Sequence, residues 1–97
     1  MTRPIRPRTR QDLAVVVLDG EAVVYDEESG SLHHLNPTAT IVFQLCDGTA
    51  TIREISSEMS EVFGVPVREV EREVRALLRG LRRTGLIDGN RAAQNGG

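Results

Sequence analysis

The sequence is poor in cysteine and in aromatic residues, with one cysteine, no tryptophan, two phenylalanines and one tyrosine among 97 residues. A lone cysteine excludes an internal disulfide, and the position of Cys46 in the apolar run IVFQLC indicates a buried thiol. We therefore expect a protein of the reducing cytoplasm. A chain of this length forms a single domain, whose core must be built mainly from aliphatic side chains.

The sequence also lacks a long hydrophobic run and a strong net charge. No apolar stretch approaches the roughly 18 residues of a membrane span, and no signal-type segment follows the N-terminal arginines, so we expect no membrane association. The net charge of −2 argues against a dedicated nucleic-acid binder, because such domains usually carry a strong basic excess. All twelve basic residues are arginine, and most lie near the N-terminus or in the C-terminal half.

Three short segments in the first third of the chain have the composition of β-strands. They are LAVVVL at 13–18, EAVVY at 21–25 and SLHHL at 31–35. Asp19-Gly20, between the first two, is a strong signal for a two-residue hairpin turn, and the glycine that ends DEESG suits a second connection. These segments predict an antiparallel meander whose last strand has a free edge.

Three helices are predicted after the strands, at about 37–46, 51–63 and 67–84. Asn36 is a strong N-cap residue and Pro37 fits a first helical position, while Thr51 and Glu54 form a capping-box pattern. The fold class is α+β, with three helices on one face of the sheet, similar to a winged helix-turn-helix. The helix side chains expected to face inward are Ala39, Ile41, Val42, Leu45, Ile52, Ile55, Met59, Val62, Phe63, Val67, Val70, Val74, Leu77, Leu78 and Leu81.

The two ends of the chain differ in composition from the part between them. Residues 1–12 contain two prolines and four arginines without apolar periodicity, and they predict a flexible arm. Residues 13–87 form the predicted domain, with Leu86-Ile87 packing back on the core. The polar residues 88–97 predict a disordered tail.

His33, His34 and Cys46 are the side chains that most invite interpretation as a metal site. Adjacent residues of a strand point to opposite faces of a sheet, so the two imidazoles cannot easily converge on one ion, and we expect no metal. No nucleophile lies beside a plausible base, and no glycine-rich phosphate loop follows a strand. We therefore predict no catalytic residue, no cofactor and no enzymatic activity.

The predicted third helix carries an arginine ladder within a narrow sector, formed by Arg68, Arg72, Arg75, Arg79 and Arg82. One interpretation is a solvated face with intrahelical ion pairs, such as Glu71 with Arg75. The other is a surface for an acidic partner. DNA is one such partner, so a winged-helix DNA-binding regulator is the alternative function, although few base-reading polar residues accompany the arginines.

The free edge of the third strand offers backbone groups that another chain can pair with. Next to an arginine-bearing helix, this edge predicts a groove for an extended acidic peptide, held by main-chain hydrogen bonds and electrostatic steering. The same edge also favours homodimerisation by edge-to-edge pairing.

Several short patterns between residues 13 and 87 point in combination to a known family. They are the valine-rich first strands, His34-Leu35-Asn36 followed by Ala39, Leu45-x-Asp47-Gly48, Thr51-Ile52-x-Glu54-Ile55, and Leu81 with Leu86-Ile87. With these patterns the chain resembles the PqqD-like proteins, which are peptide chaperones or recognition elements for enzymes that modify ribosomally made peptides.

The resemblance implies a winged-helix-like module that binds the leader segment of a precursor peptide. Such a module presents the leader to a modifying enzyme, commonly a radical SAM protein, in natural product biosynthesis. The leader is expected to add a strand beside the third strand and to lie against the third helix. A recognition domain split off from a larger synthetase or protease is a third interpretation. The peptide-binding residues implied are Ser31, Leu32, His33, His34, Leu35, Arg68, Val70, Arg72, Val74, Arg75 and Arg79.

Overall fold

The computed structural model describes residues 5–87 and has the predicted α+β architecture. Strands β1 (Ala14–Leu18), β2 (Glu21–Asp26) and β3 (Ser31–Leu35) precede helices α1 (Pro37–Leu45), α2 (Ile52–Phe63) and α3 (Val67–Arg83). All six predicted elements are confirmed. The predicted tail at 88–97 and the first four residues of the predicted arm lie outside the described residues.

The strands form an antiparallel sheet in the order β1-β2-β3, so β3 is an edge strand, as predicted. The β1–β2 turn has positive φ angles at both of its residues, 52° at Asp19 and 78° at Gly20. This is the type I′ geometry that an Asp-Gly pair favours, because its twist matches that of the flanking strands. The turn places Leu18 opposite Glu21 and thereby fixes the register of the first hairpin.

The helices cover the inner face of β2 but not that of β1. Ala22 and Val24 of β2 are fully buried, whereas Val15 and Val17, on the same face of β1, are 42% and 43% exposed. Helix α1 contacts β2 and β3, whereas every residue of β1 is exposed. The helices thus lie on one face of the sheet as predicted, but they leave its first strand uncovered. The sequence does not reveal that β1 is uncovered, because this strand is apolar on both of its faces.

The core lies between the sheet and the three helices, and Leu86 and Ile87 pack back on it as predicted. Cys46 is buried as predicted, and its burial raises the pKa of the thiol to about 12, so the thiol stays protonated at neutral pH. Two residues expected inside, Val62 and Phe63, are instead 70% and 48% exposed. They lie in the last turn of α2, directly before its C-cap Gly64.

In the part of the chain that the structure describes, no helix is both long enough and apolar enough to cross a lipid bilayer.

Residues 5–12, the described part of the predicted arm, lie against the domain. The Thr9 N–H donates to the Cys46 carbonyl at 2.9 Å, and the Arg10 N–H donates to the Leu86 carbonyl at 3.1 Å. The Gly48 N–H donates to the Pro7 carbonyl at 2.9 Å. The segment therefore connects the end of α1 with the residues that follow α3. Its sequence has no apolar periodicity that would reveal this placement.

The Arg10 guanidinium joins this segment to the sheet. Its Nη1 lies 2.9 Å from Oδ2 of Asp26, a carboxylate whose side chain is only 6% exposed, and also donates to the Gly85 carbonyl at 3.1 Å. The hydrogen bonds from Arg10 hold the pKa of Asp26 below its usual range, against the effect of desolvation. The carboxylate is therefore ionised at neutral pH.

Asp26→Asn is expected to lower the melting temperature at neutral pH, because Arg10 then loses an almost buried charged partner. The pKa of Asp26 is lower in the folded than in the unfolded chain. Its stabilising contribution is therefore present above the unfolded value of about 3.9 and is lost as the pH falls through the folded value. Thermal unfolding between about pH 7 and pH 3 should show the two proteins converging in acid.

Asp12→Asn is the matched control, because Asp12 bonds the same guanidinium at 2.7 Å through a side chain that is 60% exposed. We expect this control to melt closer to the parent protein, since exposed ion pairs contribute little. If the Asp26→Asn protein melted at the same temperature as the parent at neutral pH, the ion pair between Arg10 and Asp26 would not stabilise the fold.

Candidate functional site

A groove of about 490 Å³ lies between β3 and the C-terminal half of α3. One wall is the strand segment Leu32–Leu35, and Ala39 of α1 and Leu86 complete the lining. The helix wall is formed by Ala76, Leu77, Gly80, Leu81 and Thr84. The groove is therefore mainly apolar, and one of its sides is the free edge of the sheet.

The start of α1 fixes the position of β3. Asn36 caps the helix, its Oδ1 accepting the Ala39 N–H at 2.8 Å. One turn further on, the buried Thr40 hydroxyl accepts the Ala22 N–H at 2.9 Å and donates to the Leu35 carbonyl at 3.1 Å. A single hydroxyl thus inserts between the ends of β2 and β3 and satisfies a backbone group of each.

The direction of the backbone groups of β3 follows from this contact. The Ala22 N–H points towards β3, because its acceptor, the Thr40 hydroxyl, also bonds the carbonyl at the end of that strand. The N–H and C=O groups of successive residues alternate in direction along an antiparallel strand. The backbone groups of Val24 therefore also point towards β3, where Val24 is opposite His33. His33 therefore pairs with β2, whereas the N–H and C=O of His34 point to the free edge, as do those of Leu32.

The two histidine side chains lie on opposite faces of the sheet. His33 is opposite the fully buried Val24 and is partly buried on the face towards the helices. His34 is on the outer face, with Nε2 2.7 Å from Oε1 of Glu21. Among the side chains that the structure describes, no three His, Cys, Asp or Glu residues are grouped as metal ligands would be.

The predicted arginines lie on a different side of α3 from the groove. At 3.6 residues per turn, the direction shared by Arg68, Arg75 and Arg79 is roughly 150° around the helix from that of the groove residues. Arg75 instead pairs with Glu71, with Nη2 and Oε2 2.8 Å apart, which is the intrahelical pair expected for a solvated face. The structure thus does not bring these three arginines together with β3.

The other predicted residues have mixed positions. Val70 and Val74 are buried in the core, although both also line a second cavity beside α2, together with Arg72. Ser31 begins β3 at the hairpin and is partly exposed. Of the eleven predicted peptide-binding residues, the groove itself gathers the four that belong to β3 from Leu32 onward.

None of the five residues of the helix wall was predicted to bind peptide, and three of the five form a pattern of small side chains along α3 and its C-cap. Ala76, Gly80 and Thr84 recur at every fourth position and therefore lie along one side of the helix. A stripe of small side chains lets another backbone approach a helix closely, so the spacing contained a signal. The charged residues of the same helix were the more conspicuous pattern.

Comparison with known proteins gives a family and a fold. The family described as Coenzyme PQQ synthesis protein D (PqqD) matches residues 21–87. No curated protein sequence matches the chain.

Three solved structures are similar to this one. TbiB1 in complex with the TbiA(beta) leader peptide has a TM-score of 0.77 and 22% identity, and the match covers 84% of this chain and 95% of that one. Lasso peptide synthetase B1 complexed with the leader peptide has a TM-score of 0.74 and 24% identity, with coverages of 84% and 96%. The heterocyclase TruD has a TM-score of 0.64 and 16% identity, and the match covers 87% of this chain but 11% of TruD.

Thr40→Val is expected to destabilise the fold by about 1–3 kcal/mol, because it keeps the side-chain shape but leaves the buried Ala22 N–H and the Leu35 carbonyl without their shared partner. Thermal unfolding measures the loss. Hydrogen exchange should be faster at the Ala22 amide, which loses its acceptor. Thr40→Ser retains the hydroxyl and is the control. Equal stability of the valine and serine variants would show that the hydroxyl does not hold the strand.

Proposed function

The chain belongs to the PqqD family, and from this premise we propose that it is a non-catalytic recognition protein for a ribosomally made precursor peptide. It binds the leader segment of the precursor and presents the rest to a modifying enzyme in natural product biosynthesis. The observation that carries the proposal is the free edge of β3, which forms one side of an apolar groove whose other side is α3.

The proposed binding mode is strand addition. Leu32 and His34 direct their backbone groups to the free edge, so an extended peptide placed there gains main-chain hydrogen bonds at alternate residues. The peptide side chains that point towards α3 then contact Leu77 and the small residues Ala76 and Gly80 of the helix wall. Main-chain pairing supplies affinity, and the wall of α3 supplies selectivity.

Two of the similar structures support leader binding as the function, because TbiB1 and lasso peptide synthetase B1 are each complexed with a leader peptide. The DNA-binding alternative is not favoured, since the family match and both of these structures point to peptides. The described residues that line the groove are aliphatic or small apart from His33, His34 and Thr84, which accords with binding rather than catalysis.

The modifying enzyme is the second proposed partner, and the family resemblance puts a radical SAM protein first among its classes. A domain with this fold also forms a small part of the heterocyclase TruD, which supports an association between such modules and larger enzymes. We propose that the encounter takes place in the cytoplasm, where the precursor is synthesised.

The two histidines of β3 provide the test, carried out with the leader of a candidate precursor, to be sought among small peptides encoded near the gene. His34→Pro removes an N–H that points to the free edge, so the fold should tolerate it while leader affinity falls by at least about 1 kcal/mol, roughly fivefold in Kd. His33→Pro removes an N–H that pairs with β2 and should lower the melting temperature clearly. Fluorescence anisotropy and thermal unfolding measure the two effects.

His33→Ala and His34→Ala are the matched controls, because they remove the imidazoles and keep the backbone donors. A folded His34→Pro protein that bound the leader as tightly as His34→Ala would show that the peptide does not add to this edge. Absence of any binding by the parent protein would reject the function itself.

A homodimer through β3 would use the same backbone groups as the leader, so we propose that the two modes of pairing exclude each other. Size-exclusion chromatography with light scattering should therefore show a dimer, where one forms, dissociating as leader is added. A dimer that persisted with leader bound would place the contact between copies elsewhere.

A further inference from the structure

A second cavity, of about 360 Å³, lies between the end of α2 and the N-terminal half of α3. Its size is at the low end of the range of roughly 300–1,000 Å³ for small-ligand pockets, which is ample for one large side chain. Phe63 at its rim is 48% exposed although it is one of only two phenylalanines in the chain. The apolar lining consists of Met59, Phe63, Val65, Val70, Val74 and Leu77.

This cavity continues the groove beside β3. Leu77 lines both, and Thr38, three residues beyond the end of β3, lines the second cavity. Both therefore lie along one side of α3, from Thr84 to Glu69, a length of about 22 Å at 1.5 Å per residue. About seven residues of extended peptide, at 3.3 Å each, span this distance. A leader paired with β3 therefore needs only about seven residues to extend from the groove into the second cavity.

The rim of the second cavity is acidic on balance. Glu69 and Glu73 both line it, one helical turn apart, where like charges repel each other. Within residues 5–87 neither carboxylate takes part in a salt bridge. Arg72 is the single basic residue of the lining, because the remaining arginines of α3 lie elsewhere around the helix. A cation placed between the two glutamates would relieve their repulsion.

We propose that this cavity is a second subsite for the leader, which takes a large apolar side chain with a lysine or arginine beside it. The proposal rests on the leader-binding function proposed above and specifies the chemistry of the peptide. It reverses the expectation of an acidic leader, which placed the arginine ladder in the groove. Glu69 and Glu73, with Arg72 as the single arginine beside them, line the side of α3 that would face the peptide.

Selection of a displayed library of random linear peptides on the full chain tests the proposal. We expect the bound peptides to be enriched in an apolar residue next to lysine or arginine. Synthetic copies should bind the double variant Glu69→Gln and Glu73→Gln about fivefold more weakly, the scale of exposed ion pairs, and the loss should shrink in high salt. Phe63→Ala, a change at a half-exposed site, should also weaken binding while the protein stays folded by circular dichroism.

The double variant Glu58→Gln and Glu61→Gln is the control, because it removes the same charge from exposed positions of α2 outside the cavity lining. One contrary outcome is that the selected peptides bind His34→Pro more weakly but show no preference for basic residues and bind the Glu69 and Glu73 variant as tightly as the parent. That outcome would overturn the subsite and leave the proposed function standing. Peptides whose affinity is also unchanged by His34→Pro, or a library that yields no binders, would contradict both the subsite and the proposed function. Enrichment of acidic peptides would overturn the subsite alone.

Discussion

The hydroxyl of Thr40 connects α1 with β2 and β3 and thereby positions the strand wall of the groove. It bonds the Ala22 N–H of β2 and the Leu35 carbonyl of β3 from within α1, so the sheet and the first helix share one buried contact. Buried backbone groups need partners, and here the partner is a side chain because the two strands part where the chain enters α1. The free edge of β3 is therefore held in place at its end by a helix rather than by a further strand.

An edge strand of this kind is ordinarily a hazard, because unpaired backbone groups invite association with other chains. Proteins often protect such edges with inward charges, prolines or bulges, yet Leu32–Leu35 has none of these. Instead, α3 stands beside the edge and limits what can approach it. Ala76 and Gly80 of α3 line the groove beside this edge, and their small side chains leave space next to the backbone of β3.

Local signals account for the parts of the fold that were predicted from the sequence. Asp19-Gly20, Asn36-Pro37 and the Thr51–Glu54 capping box each act within a few residues, and each element boundary beside them was found. The side of α3 that faces β3 depends instead on how two distant segments pack, which periodicity along one helix does not encode. For the same reason the contact of Arg10 with Asp26, sixteen residues away, had no signature in an arm without apolar pattern.

The division between backbone and side-chain recognition has a consequence for variation within the family. Main-chain pairing at an edge strand requires a backbone in the right place and almost no particular side chain, so it survives extensive substitution as long as the fold is kept. The fold itself is kept in chains that are only 22% and 24% identical to this one. Selectivity then has to arise on the helix side, which presents side chains rather than backbone groups. In this protein the helix wall of the groove presents a stripe of small residues, and the second cavity beyond it presents Glu69, Glu73 and Arg72. The preference proposed above therefore follows from α3 and not from β3.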